Sequence, residues 1–304
     1  MKITLLHNPK AGSRAFVISE VVRKLENKGH EILYVSIKDK DWRSSLGAPA
    51  QLAILAGGDG TVSRAAPWLA ARKLPFCILP LGTANNCARS LVEVNGAKII
   101  GSDLDPFAIK SVDLGIVTVP TGQHSFIESF GIGLLPRFMA DMRALQKKNG
   151  SEPMTSAQNR LAISKERLFS TAREAKAFDC EFLLDDKIVD GQYLLIEVGN
   201  FRSIGPGLPL ARKADPTDGF LNVVWVRPEQ RKEWLRYLKA AGAGEHALPP
   251  VEQCRCESIT FRHLEAPVHV DGKVFPELAT PCCVGVRPGA LKFVSIMDPQ
   301  PGSR

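Results

Sequence analysis

The chain has 304 residues, of which 44% are hydrophobic and 23% charged, and its formal net charge is +7. This length suits two domains with a sizeable core, and the composition is that of a soluble globular protein without low-complexity tracts or internal repeats. Such a charge draws nucleotides, anionic lipid headgroups and nucleic acid alike, but no basic block with interleaved aromatics marks a nucleic-acid binder and no stretch approaches the roughly 18 uninterrupted apolar residues of a membrane span.

The residues Ile3 to Leu6 predict a first strand, too short for the core of a signal peptide, so the expected location is the cytoplasm. A glycine turn follows at Asn8-Pro9-Lys10-Ala11-Gly12-Ser13. Val17, Ile18, Val21, Val22 and Leu25 mark one face of a helix that Gly29 ends. Glu31 to Ile37 reads as a strand, and Asp39 is placed to cap a short helix through Trp42 to Leu46.

The run Leu52 to Ala56 predicts a buried strand that breaks into Gly57-Gly58-Asp59-Gly60-Thr61. Three glycines so close permit positive φ and let a polyanion approach the main-chain N–H groups. Phosphate is the expected guest, and Thr61 is placed to cap the helix that follows, whose N-terminal N–H groups favour negative charge at the same point. Pro67 predicts a break in that helix. The architecture repeats at Pro75 to Leu79, with Gly82-Thr83 as the turn and Ala84-Asn85-Asn86 leading into another helix. Three glycine turns at three strand ends of one parallel sheet make a nucleotide pocket.

Ile109 to Val117 is strand-like. Leu134 to Ala177 is the least strand-like part, with scattered Lys and Arg among apolar residues, a pattern that suits either a helix on an anionic membrane surface or a solvated helix packed on its own domain. After Asp179, the segments Cys180 to Leu184, Tyr193 to Val198, Leu221 to Val226, Cys256 to Phe261, Val268 to Val270 and Cys282 to Val286 predict short strands, with turn signals at Asp185-Asp186 and Asp218-Gly219. These describe an antiparallel sandwich. Glu229 to Ala241 reads as an inserted helix with Trp234, Leu235 and Leu238 inward. The seven cysteines lack zinc-knuckle spacing and read as reduced structural thiols, and the six histidines show no paired metal spacing and receive no role.

Asn8-Pro9-Lys10-Ala11-Gly12, Gly57-Gly58-Asp59-Gly60-Thr61 and Leu79-Pro80-Leu81-Gly82-Thr83-Ala84-Asn85, with Gly199-Asn200, Pro206 to Ala211, Asp215 to Leu221 and Asp271-Gly272, occur in an order that resembles the diacylglycerol kinase catalytic-domain family, which includes sphingosine kinases and bacterial lipid kinases. The resemblance implies an α/β, Rossmann-like nucleotide-binding domain over residues 1–118, to which residues 288–304 return, and a mostly antiparallel β-sandwich acceptor domain over 119–287. It implies ATP and Mg²⁺ as cofactors and a lipid acceptor such as diacylglycerol. A peripheral position on an anionic membrane is expected, a homodimer is compatible with it, and no nucleic acid is expected as a partner.

Residue by residue, the resemblance places Asn8, Pro9, Lys10, Gly12, Gly57, Gly58, Gly60, Thr61, Gly82, Thr83 and Asn85 at the nucleotide. Asp59 is implied to lie beside the terminal phosphates, acting through magnesium or assisting deprotonation of the acceptor; the alternative is that it only holds its loop by hydrogen bonding. Asp271, in the family's Asp-Gly-Glu triplet, is the rival general base. The spacing of Asp215 and Asp218 lets two carboxylates and a carbonyl converge on a magnesium or calcium ion, though aspartates also serve ordinary turns. The resemblance favours a structural ion.

Four positions depart from the family pattern: Ser63, Arg64 and Asn86 stand where Asn, Glu and Asp are usual, and Lys273 replaces the Glu of the triplet. On a regular strand Lys273 would face the same way as Asp271. The three charge changes, at Arg64, Asn86 and Lys273, motivate one alternative, a non-catalytic nucleotide or lipid sensor on the same fold. A second is an NAD kinase-like enzyme with a soluble acceptor, because the glycine-aspartate loop by itself also resembles those of NAD kinases.

Overall fold

The computed structural model describes residues 1–11, 15–44, 49–91, 107–148, 157–184 and 187–296. Gly12, Leu46 and the Asp185-Asp186 turn lie outside them. The chain divides into two compact units, Met1–Val112 with Gly289–Arg304, and Asp113–Pro288.

The first unit is an α/β layer. Strands β1 (Lys2–His7), β2 (Glu31–Ser36), β3 (Leu52–Gly57) and β4 (Phe76–Pro80) run parallel in the order β2-β1-β3-β4. Beyond β4 the same sheet takes the end of the last strand, whose Phe293 pairs with Phe76. The β3 side chains are buried along the whole strand, as expected of a central parallel strand covered on both faces. Helix α1 (Ala15–Asn27) lays Ile18, Val21 and Leu25 on the core shared with Ile3, Leu5, Ile54 and Leu79, and Gly29 ends it with φ 78°.

Helix α2 (Asp59–Arg72) follows β3 closely and runs through Pro67, which lies inside it. The expected break does not occur because Pro67 is on the exposed face, where water can satisfy the carbonyl one turn back. After β2, the residues from Ile37 to Ser44 form successive turns in place of the short helix expected from Asp39, and these turns bury Trp42 completely. A short helix, α3 (Asn86–Leu91), follows the loop after β4.

The strand β5 (Phe107–Val119) leads into the second unit and pairs with β6 (Gly122–Phe126). Two sheets then face one another across a core. One is built from β7 (Ser129–Gly133), β10 (Leu195–Gly199), β11 (Leu221–Val226), β12 (Glu252–Cys256), β14 (Val268–Val270) and β15 (Lys273–Phe275), all antiparallel, in the order β12-β11-β10-β7-β14-β15. The other joins β8 (Phe178–Leu184), β9 (Lys187–Tyr193), β13 (Ser258–Leu264) and the start of β16 (Cys282–Ile296). The alternation of Phe130, Ile132, Ile196 and Val198 against Phe182, Phe261 and Val284 fills the space between them.

The outer face of the six-stranded sheet is covered by α4 (Leu134–Lys148), α5 (Ala157–Glu174) and α6 (Arg231–Ala243), through Leu135, Phe138, Leu168, Trp234 and Leu238. All seven cysteines are reduced, and burial pushes the thiols of Cys77, Cys180 and Cys282 up to about 12, which keeps them protonated and unreactive.

Candidate active site

Because β1, β3 and β4 are parallel neighbours, their carboxyl ends deliver three loops to one edge of the first unit, the position at which open α/β sheets take ligands. Asn8 fixes the first loop: its N–H donates to Ala56 O at 2.9 Å, its Oδ1 accepts from Lys10 N at 3.2 Å and its carbonyl accepts from Ala11 N at 2.9 Å. Pro9 and Lys10 are exposed beside it.

The second and third loops touch through glycine. A Cβ on Gly58 would stand 2.8 Å from Gly82 Cα, and one on Gly82 would stand 2.5 Å from Gly58 Cα. No side chain fits at either position. Asn85 closes the third loop, with its Oδ1 accepting from Gly82 N at 2.9 Å and its Nδ2 donating to Gly82 O at 3.0 Å, while its own backbone adopts φ 52°. Asparagine is among the few side chains that tolerate this left-handed conformation. Gly57 is needed for another reason, since a Cβ there would collide with the Thr61 side chain. Around Gly60 there is open space, so packing does not demand that glycine. Thr83 is half-buried on the same loop as Gly82.

Thr61 does not cap α2. Gly58, extended at φ −102° and ψ −169°, is the residue before the helix, which leaves Thr61 inside the first turn with its Oγ1 buried and without a hydrogen-bond partner among the described residues.

Asp59 is the first residue of α2, half-buried, and its Oδ1 accepts from Cys87 N at 2.9 Å. The carboxylate therefore sits at the N-terminal ends of two helices, its own and α3, where unpaired N–H groups favour negative charge. This hydrogen bond ties the start of α2 to the start of α3 and uses one oxygen of the two. Asn86 starts α3 and accepts from Arg89 Nη2 at 3.3 Å, and Arg89 also donates to Ala84 O. The amide at position 86 thereby helps Arg89 close the loop.

In the second unit Asp271 lies in the two-residue turn between β14 and β15, where Val270 pairs with Lys273. Asp271 and Gly272 take φ 47° and 78°, the two positive values that a type I′ hairpin turn requires. The Asp271 carboxylate accepts from Ile127 N and Glu128 N at 2.8 Å each and from Ser129 N at 3.1 Å. The turn also overturns the expectation for Lys273: the chain reverses between the two residues, so they do not alternate along one strand. Lys273 is exposed and lies over the Phe275 ring at 4.6 Å. It acts on His124, whose pKa is lowered first by burial and then by this ammonium.

The loop carrying Asp215 and Asp218 hangs from Asp113, a buried carboxylate that accepts from Gly219 N at 2.8 Å while its own N–H donates to Pro216 O. Asp215 Oδ1 accepts from Thr217 N and Thr217 Oγ1, and Asp218 Oδ1 accepts from Phe220 N. Asn200 ties Asp113 O and Ile127 O together through its Nδ2.

Sequence reasoning missed one buried pair. Glu197 and His269, both essentially without exposure, meet at 3.0 Å, and each stands opposite Gly131 on the strand between them. A Cβ at Gly131 would fall 1.8 Å from Glu197 Oε1 and 2.5 Å from His269 Nε2, so the glycine makes the pair sterically possible. His269 Nδ1 accepts from Gly272 N at 3.4 Å, which links the pair to the Asp271 turn. A charged residue within the otherwise apolar Tyr193 to Val198 strand was the available signal.

Residues 2–117 match the model of the diacylglycerol kinase catalytic domain, and residues 160–295 match that of the YegS C-terminal NAD kinase beta sandwich-like domain. Among relatives, the chain is 27% identical over 307 aligned residues to the diacylglycerol kinase of Mycobacterium tuberculosis, covering 96% of this chain and 94% of that protein. It is 24% identical to the diacylglycerol kinase of Staphylococcus epidermidis, with 88% and 84% covered. A crystal structure described as a diacylglycerol kinase from Bacillus anthracis superposes with a TM-score of 0.70 at 22% identity, covering 96% of each chain, which is a likeness of fold.

Proposed function

We propose, since the chain belongs to the diacylglycerol kinase catalytic-domain family, that it is a lipid kinase transferring the γ-phosphate of ATP to the hydroxyl of a glycerolipid such as diacylglycerol. The observation that carries this reading is the pairing of Gly58 with Gly82, which presents two loops as bare main chain at the ends of neighbouring parallel strands. Phosphates are held by such N–H groups, and phosphoryl transfer depends chiefly on positioning and on neutralising charge. Asn8 and Asn85 supply rigid loops, Thr83 a neutral hydrogen-bonding group and Lys10 a cation. Magnesium, when bound with the nucleotide, would neutralise charge on the phosphate oxygens; Asp59, whose second oxygen is not engaged by Cys87 N, would hold it or receive the acceptor's proton.

Asp59 suits the base role better than Asp271. Both oxygens of Asp271 already serve three backbone N–H groups, and a base needs a lone pair directed at the substrate. The acceptor side belongs to the second domain, and peripheral contact with an anionic membrane from a cytoplasmic location is part of the proposal. Among the described residues no helix is long and apolar enough to cross a membrane.

Radiolabelled ATP with total lipid extract tests the kinase reading: label in the organic phase supports it, and nucleotide binding without transfer would favour a sensor. Label that stays with a soluble acceptor would move the assignment to an NAD kinase-like activity.

A further inference from the structure

The Asp215 to Phe220 loop carries two carboxylates at a spacing suited to a divalent ion, yet a cation from the protein already stands there. Arg255 Nη2 lies 3.0 Å from Asp218 Oδ2, and the guanidinium carbon lies 3.8 Å over the centre of the Phe220 ring. Arg255 sits on β12 directly opposite Asn222 of β11, so it is held one strand away from the end of the loop and reaches back over it. A divalent ion needs hard oxygen ligands at about 2.0–2.6 Å. Here Asp218 Oδ1 takes Phe220 N, Asp218 Oδ2 takes the guanidinium, and Asp215 Oδ1 takes both donors of Thr217. A dication seated between the two aspartates would face a fixed positive charge on one of its own ligands.

We propose that Arg255 replaces a structural metal ion in this chain: its guanidinium neutralises Asp218, its plane is clamped by Phe220, and the loop keeps its shape without a divalent cation. The fork geometry and always-protonated state of arginine suit it to this task, and lysine would not reproduce the contact with both carboxylate and ring. Arg255 is a positioning residue. It acts on the loop that Asp113 fixes from the other side through Gly219 N and Pro216 O.

The test is thermal melting of the full chain, without nucleotide, in EDTA and in millimolar MgCl₂ or CaCl₂. Wild type is expected to melt at the same temperature in all three. Arg255→Gln is expected to lower Tm in EDTA by about 2–4 °C, the shift that the loss of one modest interaction produces in a domain of this size. Calcium or magnesium should recover part of that loss by binding at the vacated Asp218 carboxylate, and adding Asp218→Asn should abolish the recovery. A purely packing role for Arg255 would not produce ion-dependent rescue. The proposal is overturned if wild type gains Tm with either ion and Asp218→Asn removes that gain, or if Arg255→Gln melts like wild type in EDTA or is not rescued by either ion.

Discussion

Gly58 and Gly82 meet main chain to main chain, with no room at either for a single methyl group. Gly58 and Gly82 therefore have a steric purpose besides any contact with phosphate. Gly82→Ala is predicted to destabilise the protein by about 1–3 kcal/mol, because backbone cannot yield as a flexible side chain can. Gly60→Ala, in open space, should cost less than about 1 kcal/mol. Urea denaturation of both variants checks the contrast, and equal losses would contradict it.

Asp271 is predicted to matter more for folding than for chemistry. Asp271→Ala leaves three N–H groups without their acceptor and puts an alanine at φ 47°, which should cost about 3 kcal/mol or more. Asp271→Asn keeps one acceptor oxygen and tolerates the turn, so the loss should be roughly half as large and most of the phosphoryl transfer should survive. A stable Asp271→Asn protein that had lost its kcat would restore Asp271 as the base.

Glu197 and Gly131 should be energetically coupled. Gly131→Ala alone forces a methyl group into the carboxylate and is expected to cost more than about 2 kcal/mol. In a Glu197→Ala background that cost should fall by at least about 1 kcal/mol, the signature of residues in contact. Additive losses in a double-mutant cycle would show that the alanine is accommodated by another route.

His7 should make the first unit less stable in mild acid. It is nearly buried, its Nδ1 lies 2.8 Å from the Tyr34 hydroxyl, and burial lowers its pKa below the usual 6.5. The unfolded chain therefore binds a proton more readily than the folded one, so this contribution is fully present above pH 6.5 and is lost as pH falls through the lowered folded value. The measurement is Tm from about pH 7.5 to about pH 5.5, where His7→Gln should flatten part of the decline seen in wild type. An identical slope in both proteins would remove His7 from the explanation.

How much of this was legible in the sequence depended on whether the cause was local. Asn8, the glycine loops and the amphipathic face of α1 act through backbone conformation and helical spacing, which a single stretch reveals. The strand β7 did not look like a strand, because Ser129-Phe130-Gly131-Ile132-Gly133 carries two glycines; it lies inside its sheet because Gly131 admits a pair of side chains 72 residues apart. The edge strands β9 and β12 are too polar to announce themselves. Lys273 was misplaced because a two-residue reversal at Asp271-Gly272 resembles continued alternation unless the positive φ of Asp271 is known. Arg255 and Asp218 come together through sheet register, which no local pattern carries.

The most direct test of the account is transfer of radiolabelled phosphate from ATP to diacylglycerol in mixed micelles, with wild type and Asp59→Asn assayed together. Asparagine keeps an oxygen for Cys87 N, so the variant should melt within a few degrees of wild type, while removal of the charge should lower kcat by about 100-fold or more. Labelled phosphatidic acid from wild type and its near-absence from a folded Asp59→Asn protein is the predicted result. Equal rates from the two proteins, or no labelled lipid from folded wild type, would contradict it.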